Sequence, residues 1–169
     1  MARFVALFAL CALAAAATTI SGVSASRRPI PAVITLIGRA YVDTCNVGFE
    51  TTHSLYPAGS TVKLVCKFSK TSKITYTDKA VTGANGEYKF TLNGRRSDKE
   101  VCHVQAIESV HPDAGKPDPA RESALVILNG SNGIASNTRY ANNVGFATTK
   151  PLSNCAQIVS QYHLNDDNF

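Results

Sequence analysis

The chain has 169 residues, 44% of them hydrophobic and 17% charged, with a formal charge of +5 and no tryptophan. That length holds one domain with a real core. The basic residues are dispersed and fall in no recognised nucleic-acid-binding motif, which excludes nucleic acid as a partner; mild basicity instead favours acidic surfaces such as polyuronate glycans or anionic membranes.

The first segment decides the compartment. Arg3 gives a positive start, Phe4 to Ala17 is an almost unbroken apolar run, and Val23-Ser24-Ala25 supplies small residues. That order predicts a secretory signal peptide over residues 1–25, with cleavage after Ala25. A membrane anchor would need about 20 predominantly apolar residues, and Thr18, Thr19, Ser21 and Gly22 interrupt the run first. No later segment is apolar enough to span, and Asn165-Asp166-Asp167-Asn168-Phe169 offers no hydrophobic tail, so no membrane insertion is expected. The mature domain is then residues 26–169, secreted to the extracellular space or the cell wall. Removing residues 1–25 from 169 leaves 144, and because Arg3 is the one charged residue of the leader the charge falls to +4.

Cys11 leaves with the leader, and Cys45, Cys66, Cys102 and Cys155 remain. An even count in a secreted chain argues for two disulfides. A zinc site wants close pairs such as C-x₂-C, whereas the nearest two cysteines, Cys45 and Cys66, are 21 apart.

After a basic stub, Ser26-Arg27-Arg28-Pro29, which reads as a disordered N-terminus or a processing site, period-two patterns dominate. Ile34–Val42 is the first predicted strand. In Thr61–Phe68, Val62, Leu64, Cys66 and Phe68 share one face, while Thr61, Lys63 and Lys67 share the other. Lys73–Val81 follows. In Glu87–Leu92, Tyr88, Phe90 and Leu92 alternate with Glu87, Lys89 and Thr91; Val101–Ile107 and Ser123–Leu128 complete the set. Turn chemistry separates them at Pro57-Ala58-Gly59, Asn85-Gly86 and Asn93-Gly94. Strands at this spacing without intervening helical patterns predict an all-β, antiparallel sandwich or barrel. His111–Pro119, with Pro112, Gly115, Pro117 and Pro119, reads as a long surface loop or an edge excursion. Leu152, Cys155, Ile158 or Val159, and Tyr162 fall at helical spacing after Pro151, which predicts a short C-terminal helix.

Catalytic chemistry finds little support. His53, His103, His111 and His163 sit in no metal or catalytic motif, and His103 should point away from the Cys102 face. No nucleophile elbow appears, and several of the seven Asp and five Glu fall in turns, which disfavours a glycosidase pair. No enzyme, metal or other cofactor is expected. Asn129-Gly130-Ser131 is a glycosylation sequon at the end of a predicted strand. Lys63, Lys67, Lys70, Lys73, Lys79 and Lys89 lie on three consecutive predicted strands and their connections, where several can share a solvent face; that face serves solubility or a binding patch.

The block Gly38-Arg39-Ala40-Tyr41-Val42-Asp43-Thr44-Cys45, followed by Gly48-Phe49-Glu50-Thr51, resembles the signature of the pollen-allergen and extensin-like family typified by the major olive-pollen allergen. That signature reads Gly-x-x-Tyr-Cys-Asp-Thr-Cys, then Gly-Phe-x-Thr. The likeness continues through Pro57-Ala58-Gly59, Cys66-Lys67, Gly86-Glu87-Tyr88, Cys102, the sequon, Gly145-Phe146 and Leu152-Ser153-Asn154-Cys155-Ala156, covering residues 33–160. Val42 departs from it, since the family usually has cysteine there, and the cysteine expected within His111–Lys116 is missing too. In the family those two positions are joined, so both halves of one bridge are absent together.

The resemblance implies the pairs Cys45–Cys155 and Cys66–Cys102, a seven-stranded antiparallel barrel-like fold, and secretion from plant cells, often in pollen or other reproductive tissue. It implies no catalytic activity. Some relatives look like ligands of receptor-kinase ectodomains that support pollen hydration and tube growth; others carry proline-rich regions that enter the wall, and this chain has none. The expected product is a monomeric extracellular binding protein. Its partner is a receptor-kinase ectodomain, met through the His111–Arg121 segment with His111, Lys116 and Arg121. The alternative is an acidic cell-wall polysaccharide, met through Lys63 and Lys67. Strand alternation predicts a filled interior, with function on the His111–Arg121 loop, the glycan-bearing Asn129–Asn143 segment or the lysine-bearing strands rather than in a pocket.

Overall fold

The alternating segments pair into two sheets. In the computed structural model the described residues are 33–94, 96–130 and 133–162; the expected signal peptide, the basic stub, His163 and Ser131 of the sequon lie outside them. The strands are β1 (Val33–Asp43), β2 (Thr61–Phe68), β3 (Ile74–Val81), β4 (Glu87–Asn93), β5 (Glu100–Glu108), β6 (Lys116–Pro117), β7 (Ser123–Val126), β8 (Thr138–Tyr140) and β9 (Val144–Ala147), followed by helix α1 (Cys155–Ser160). One sheet runs β4-β1-β9-β6 with β8 also paired to β1; the other runs β3-β2-β5-β7.

The chemistry of β4 shows why these residues make strands. Tyr88, Phe90 and Leu92 are buried while Glu87, Lys89, Thr91 and Asn93 stay exposed. The pleat therefore removes about 1.5–3 kcal/mol worth of apolar surface per large side chain and leaves the charges in water. The same rule buries Val62, Leu64 and Cys66 on β2 and Cys102, Val104 and Ala106 on β5. Together with Ile34, Leu36, Val126, Leu128, Val144 and Phe146 these side chains form one core between the sheets. Asn85 and Gly86 enter β4 at φ 57° and 67°, the left-handed geometry that Asn-Gly supplies at least cost.

The disulfides close this core at two places. Cys66 and Cys102 are direct register partners on β2 and β5 and are bonded. Cys45, just past β1, is bonded to Cys155 at the start of α1 across a sequence separation of 110, a closure that removes about 4–5 kcal/mol of chain entropy from the unfolded state.

The all-β fold, the short C-terminal helix and the two bridges follow the sequence reading, with two refinements. The described residues hold nine strand segments rather than seven, because β6, β8 and β9 are only two to four residues long. Nor are all pairings antiparallel: β1 is flanked in parallel by β8 over Thr35–Ile37 and by β9 over Ala40–Asp43. At the strand ends, Lys73 falls before β3, and Ile127 and Leu128 fall after β7. The helix is six residues, and Leu152 and Tyr162 flank it rather than belong to it. Among the described residues no helix is long and apolar enough to cross a membrane.

Candidate functional site

β1 changes character along its length. From Val33 to Ala40 buried and less buried residues alternate, but Ala40, Tyr41, Val42 and Asp43 are all buried. Its outer face is covered there by the loop after β1 and by the segment before β7.

Asp43 shapes the first cover. Its buried carboxylate accepts hydrogen bonds from the Cys45 amide (3.1 Å) and the Gly48 amide (2.7 Å), which folds residues 44–48 into a turn of the kind short acidic side chains make with their own backbone. Gly48 takes φ 78°, and Phe49 and Glu50 follow. Phe49 packs edge-on against Tyr162 with ring centroids 5.3 Å apart. Glu50 accepts hydrogen bonds from the Tyr56 hydroxyl and from Asn143 Nδ2.

The second cover is Asp118–Arg121. The Asp118 amide donates to Gly145 O (2.9 Å) and the Gly145 amide to Arg121 O (2.8 Å), so β9 clamps this segment from both sides. Arg121 Nε donates to Gly48 O at 2.7 Å, which ties the two covers together.

Between the covers lies a cleft of about 350 Å³ lined by Tyr41, Phe49, Glu50, Arg121, Ala141, Asn142 and Asn143. Residues 141–143 bridge β8 and β9, the two segments that follow one another along the same side of β1. Tyr41 is 1% exposed and lines the cleft. Burial raises its pKa well above the usual phenol value, Asp43 and Asp118 add to the rise, Arg121 opposes it, and Glu50 adds slightly. The phenol is a neutral donor throughout the physiological range. The Tyr56 phenol is pushed up to about 12 by burial and then by its bond to Glu50. No group of three or more His, Cys, Asp or Glu able to hold a metal occurs among the described residues.

The sequence-predicted residues divide. Of the His111–Arg121 set, His111 is occupied locally: its Nδ1 accepts from the Asp113 amide (3.3 Å) and its own amide donates to Ser109 Oγ (3.1 Å). Lys116 stands exposed on β6, paired with Ala147 of β9, and Arg121 reaches the cleft. The segment is an edge excursion pinned by buried Ala114 and Asp118 and by the Lys150–Asp113 ion pair at 2.7 Å. Lys63 and Lys67 lie on the outer face of β2; Lys63 is the direct cross-strand partner of Lys79, whereas Lys89 belongs to the other sheet. Half-buried Asn129 forms an isolated bridge with Arg96 just past β7. Sequence reasoning passed over Tyr41, Phe49 and Glu50 as site residues, and reached Asn142 and Asn143 only as the end of the Asn129–Asn143 segment. Tyr41 and the Phe49-Glu50 pair stood in the quoted signature, and the Asn142-Asn143 pair carried no signal of its own.

A family profile described as Pollen protein Ole e 1 like matches residues 32–163. The chain is similar to Protein DOWNSTREAM OF FLC of Arabidopsis thaliana, 40% identical over 131 residues covering 78% of this chain and 79% of that protein. It is also similar to the pollen allergen Che a 1 of Chenopodium album, 33% identical over 132 residues covering 76% and 78%. The crystal structure of the major plantain pollen allergen Pla l 1 superposes with a TM-score of 0.65 at 24% identity, covering 73% of this chain and 100% of that one, a likeness of fold.

Proposed function

The chain belongs to the Pollen protein Ole e 1 like family, and on that premise we propose that it is a secreted, non-catalytic binding protein of plant reproductive tissue that acts as a ligand for a receptor-kinase ectodomain. A relative's name places that protein in pollen, and two disulfides suit an extracellular life. A glycan on Asn129 would keep the end of β7 soluble. The observation that carries the receptor reading is the state of residues 111–121. Lys116 is exposed, but its backbone is paired to β9 and its neighbours Ala114 and Asp118 are buried. A surface fixed before binding loses less entropy on binding. The test is a panel of purified pollen and pistil receptor-kinase ectodomains measured against the secreted protein and its Lys116→Glu variant. At least one ectodomain should bind, with affinity falling about tenfold in the variant, the equivalent of ~1.4 kcal/mol. Equal affinity for both proteins would remove this surface from the reading.

A second reading, an acidic cell-wall polysaccharide held by Lys63 and Lys67, is favoured by the direct juxtaposition of Lys63 and Lys79, which concentrates positive charge on the outer face of that sheet. Polygalacturonate binding there should fade steeply with added salt, whereas receptor binding through a shaped surface should retain most of its affinity.

A further inference from the structure

We propose that the cleft between β1 and its two covers is a seat for one neutral saccharide ring. Its lining supplies the groups such a ring needs. Phe49 gives an apolar aromatic surface, held edge-on by Tyr162, for the C–H face of a pyranose. Asn142 and Asn143 offer amides, which both donate and accept, as hydroxyl groups require. Tyr41 offers a phenol at the cleft wall, and Arg121, fixed through Nε to Gly48 O, adds guanidinium donors. At about 350 Å³ the space lies near the lower end of the 300–1,000 Å³ range of small-molecule sites, which suits one ring rather than a long chain.

Charge decides against a uronate. Asp43, Asp118 and Glu50 all act on Tyr41 in the direction of negative potential, and Arg121 is the one charge that opposes them. An acidic sugar would bring a further carboxylate beside Glu50 in the lining, with the buried Asp43 and Asp118 also acting at Tyr41 and Arg121 as the single cation, and like charges repel. A neutral ring meets no such cost. The carboxylates also have structural work. Asp43 holds the 44–48 turn, and Glu50 bridges Tyr56 and Asn143, so the cleft is built before a ligand arrives.

The experiment is amide-resonance mapping by NMR on the ¹⁵N-labelled secreted protein. The probes are xylotriose, cellotriose, arabinotriose and galactotriose, a branched trimannoside, and trigalacturonate as the acidic comparator. The expected result is saturable shifts at Phe49, Glu50, Asn142 and Asn143 with at least one neutral probe and weaker or no shifts there with trigalacturonate. A response to the linear trimers makes a wall glycan the source of the ring; a response to the trimannoside makes it a glycoprotein glycan. Phe49→Ala and, independently, Asn142→Ala, at an exposed position, should each weaken the response about tenfold. The proposal is overturned if no neutral probe moves these resonances, if trigalacturonate binds there more tightly, or if the shifts fall on β2 and β3. Lys116→Glu should leave saccharide binding unchanged, so failure here and failure of the receptor reading remain separate results.

Discussion

The hydroxyl end of Tyr41 and the stem of Arg121 meet over Gly145, where an added β-carbon would stand 3.2 Å from Tyr41 Oη and 3.1 Å from Arg121 Cβ. Three distant stretches of chain thus converge on a residue that has no side chain. Gly145 also exchanges two backbone hydrogen bonds with residues 118–121, so the missing β-carbon lets that segment lie down on β9 and carry Arg121 to the cleft.

Gly145→Ala should therefore cost about 1 kcal/mol, and Gly145→Val about 1–3 kcal/mol, because overpacking forces side chains off their rotamers or shifts backbone. Urea unfolding measures the cost. Amide exchange at Ala120 and Arg121 should quicken in both variants, more in the valine. A valine variant as stable as the parent would show that the cover can shift freely, and the argument for a fixed Arg121 would fail.

Much of the fold was legible, and the exceptions share a cause. β4 and the middle of β5 bury one face and wet the other, so their apolar residues alternate and can be read directly; β2 alternates only from Thr61 to Leu64, since Val65 is buried as well and Phe68, expected on the apolar face, is exposed. Val144-Gly145-Phe146 is buried on both faces, which erases the alternation, and four residues are too few for composition to replace it. β6 contains Pro117, a residue that argues against a strand until its place at a sheet edge is known. The cleft was illegible for a different reason. Its residues come from four places in the sequence, and a site is recognised by their convergence, which no spacing announces. Arg121 and Phe49 are loop residues, but the loops lie on an outer face and enclose a space between them, whereas strand alternation predicts function on loops and a basic face rather than in a pocket.

Tyr88 offers a test of buried polarity. It is 1% exposed, its hydroxyl has no partner among the described residues, and it rests where a β-carbon on Gly38 would otherwise stand. An unpaired buried hydroxyl costs about 1–3 kcal/mol. Tyr88→Phe removes it while keeping the ring and its edge contact with Phe90 at 5.8 Å. Chemical denaturation should show a gain of about 1 kcal/mol; a loss of that size would mean the hydroxyl is satisfied by water in solution.

Alkaline pH should act through the same class of residue. Tyr41, Tyr56, Tyr76 and Tyr88 all hold their protons more tightly in the fold than a free phenol does, with burial the leading cause in each. The unfolded chain ionises near pH 10. Above that pH it releases protons that the folded chain retains, so stability is full below pH 10 and falls as pH rises through the folded value, about 12 for Tyr56. Phenolate absorbance at 295 nm should lag an unfolded control and rise together with loss of the near-ultraviolet dichroism. Complete titration without unfolding would contradict the burial of these phenols.

On the lysine face, Lys63 and Lys79 are opposed across β2 and β3, an arrangement that costs roughly 0.2–1 kcal/mol. Lys79→Glu turns repulsion into attraction and should raise stability by about 0.5 kcal/mol at low ionic strength, with Lys79→Gln giving a smaller gain. Near 1 M salt, where the screening length is about 3 Å, the gain should shrink markedly. A gain independent of salt would point to strand propensity instead. The glutamate variant should also lose polygalacturonate binding if that reading of the face holds.

The absent third bridge leaves two apolar residues in its place. Val42 is completely buried between Leu55 and Phe146 of the flanking backbone. Within His111–Lys116, Ala114 is the one residue classed as buried, at 0% exposure, and both belong to the same core. Ala114 is thus the buried candidate of that segment for a partner to position 42, and the double variant Val42→Cys, Ala114→Cys is expected to close spontaneously in the secretory pathway. The loop between positions 42 and 114 spans 72 residues, for which chain entropy gives an upper value of about 4 kcal/mol, and engineered bridges commonly return less. A gain of about 2–3 kcal/mol is expected, read as a rise in melting temperature of roughly 10 °C for a domain of this size. Val42→Cys alone should lose about 1 kcal/mol, since it removes a methyl group from a packed core. Hydrogen exchange supplies the independent check. In the parent protein, residues 111–119 should exchange faster than Val62–Phe68, because the segment has two paired residues against a full central strand; the bridge should slow the first and leave the second unchanged. Two titratable thiols in the folded double variant would show that Ala114 does not face position 42, and equal protection of the two segments in the parent would show that β6 is held as firmly without the bridge as β2 is within its sheet.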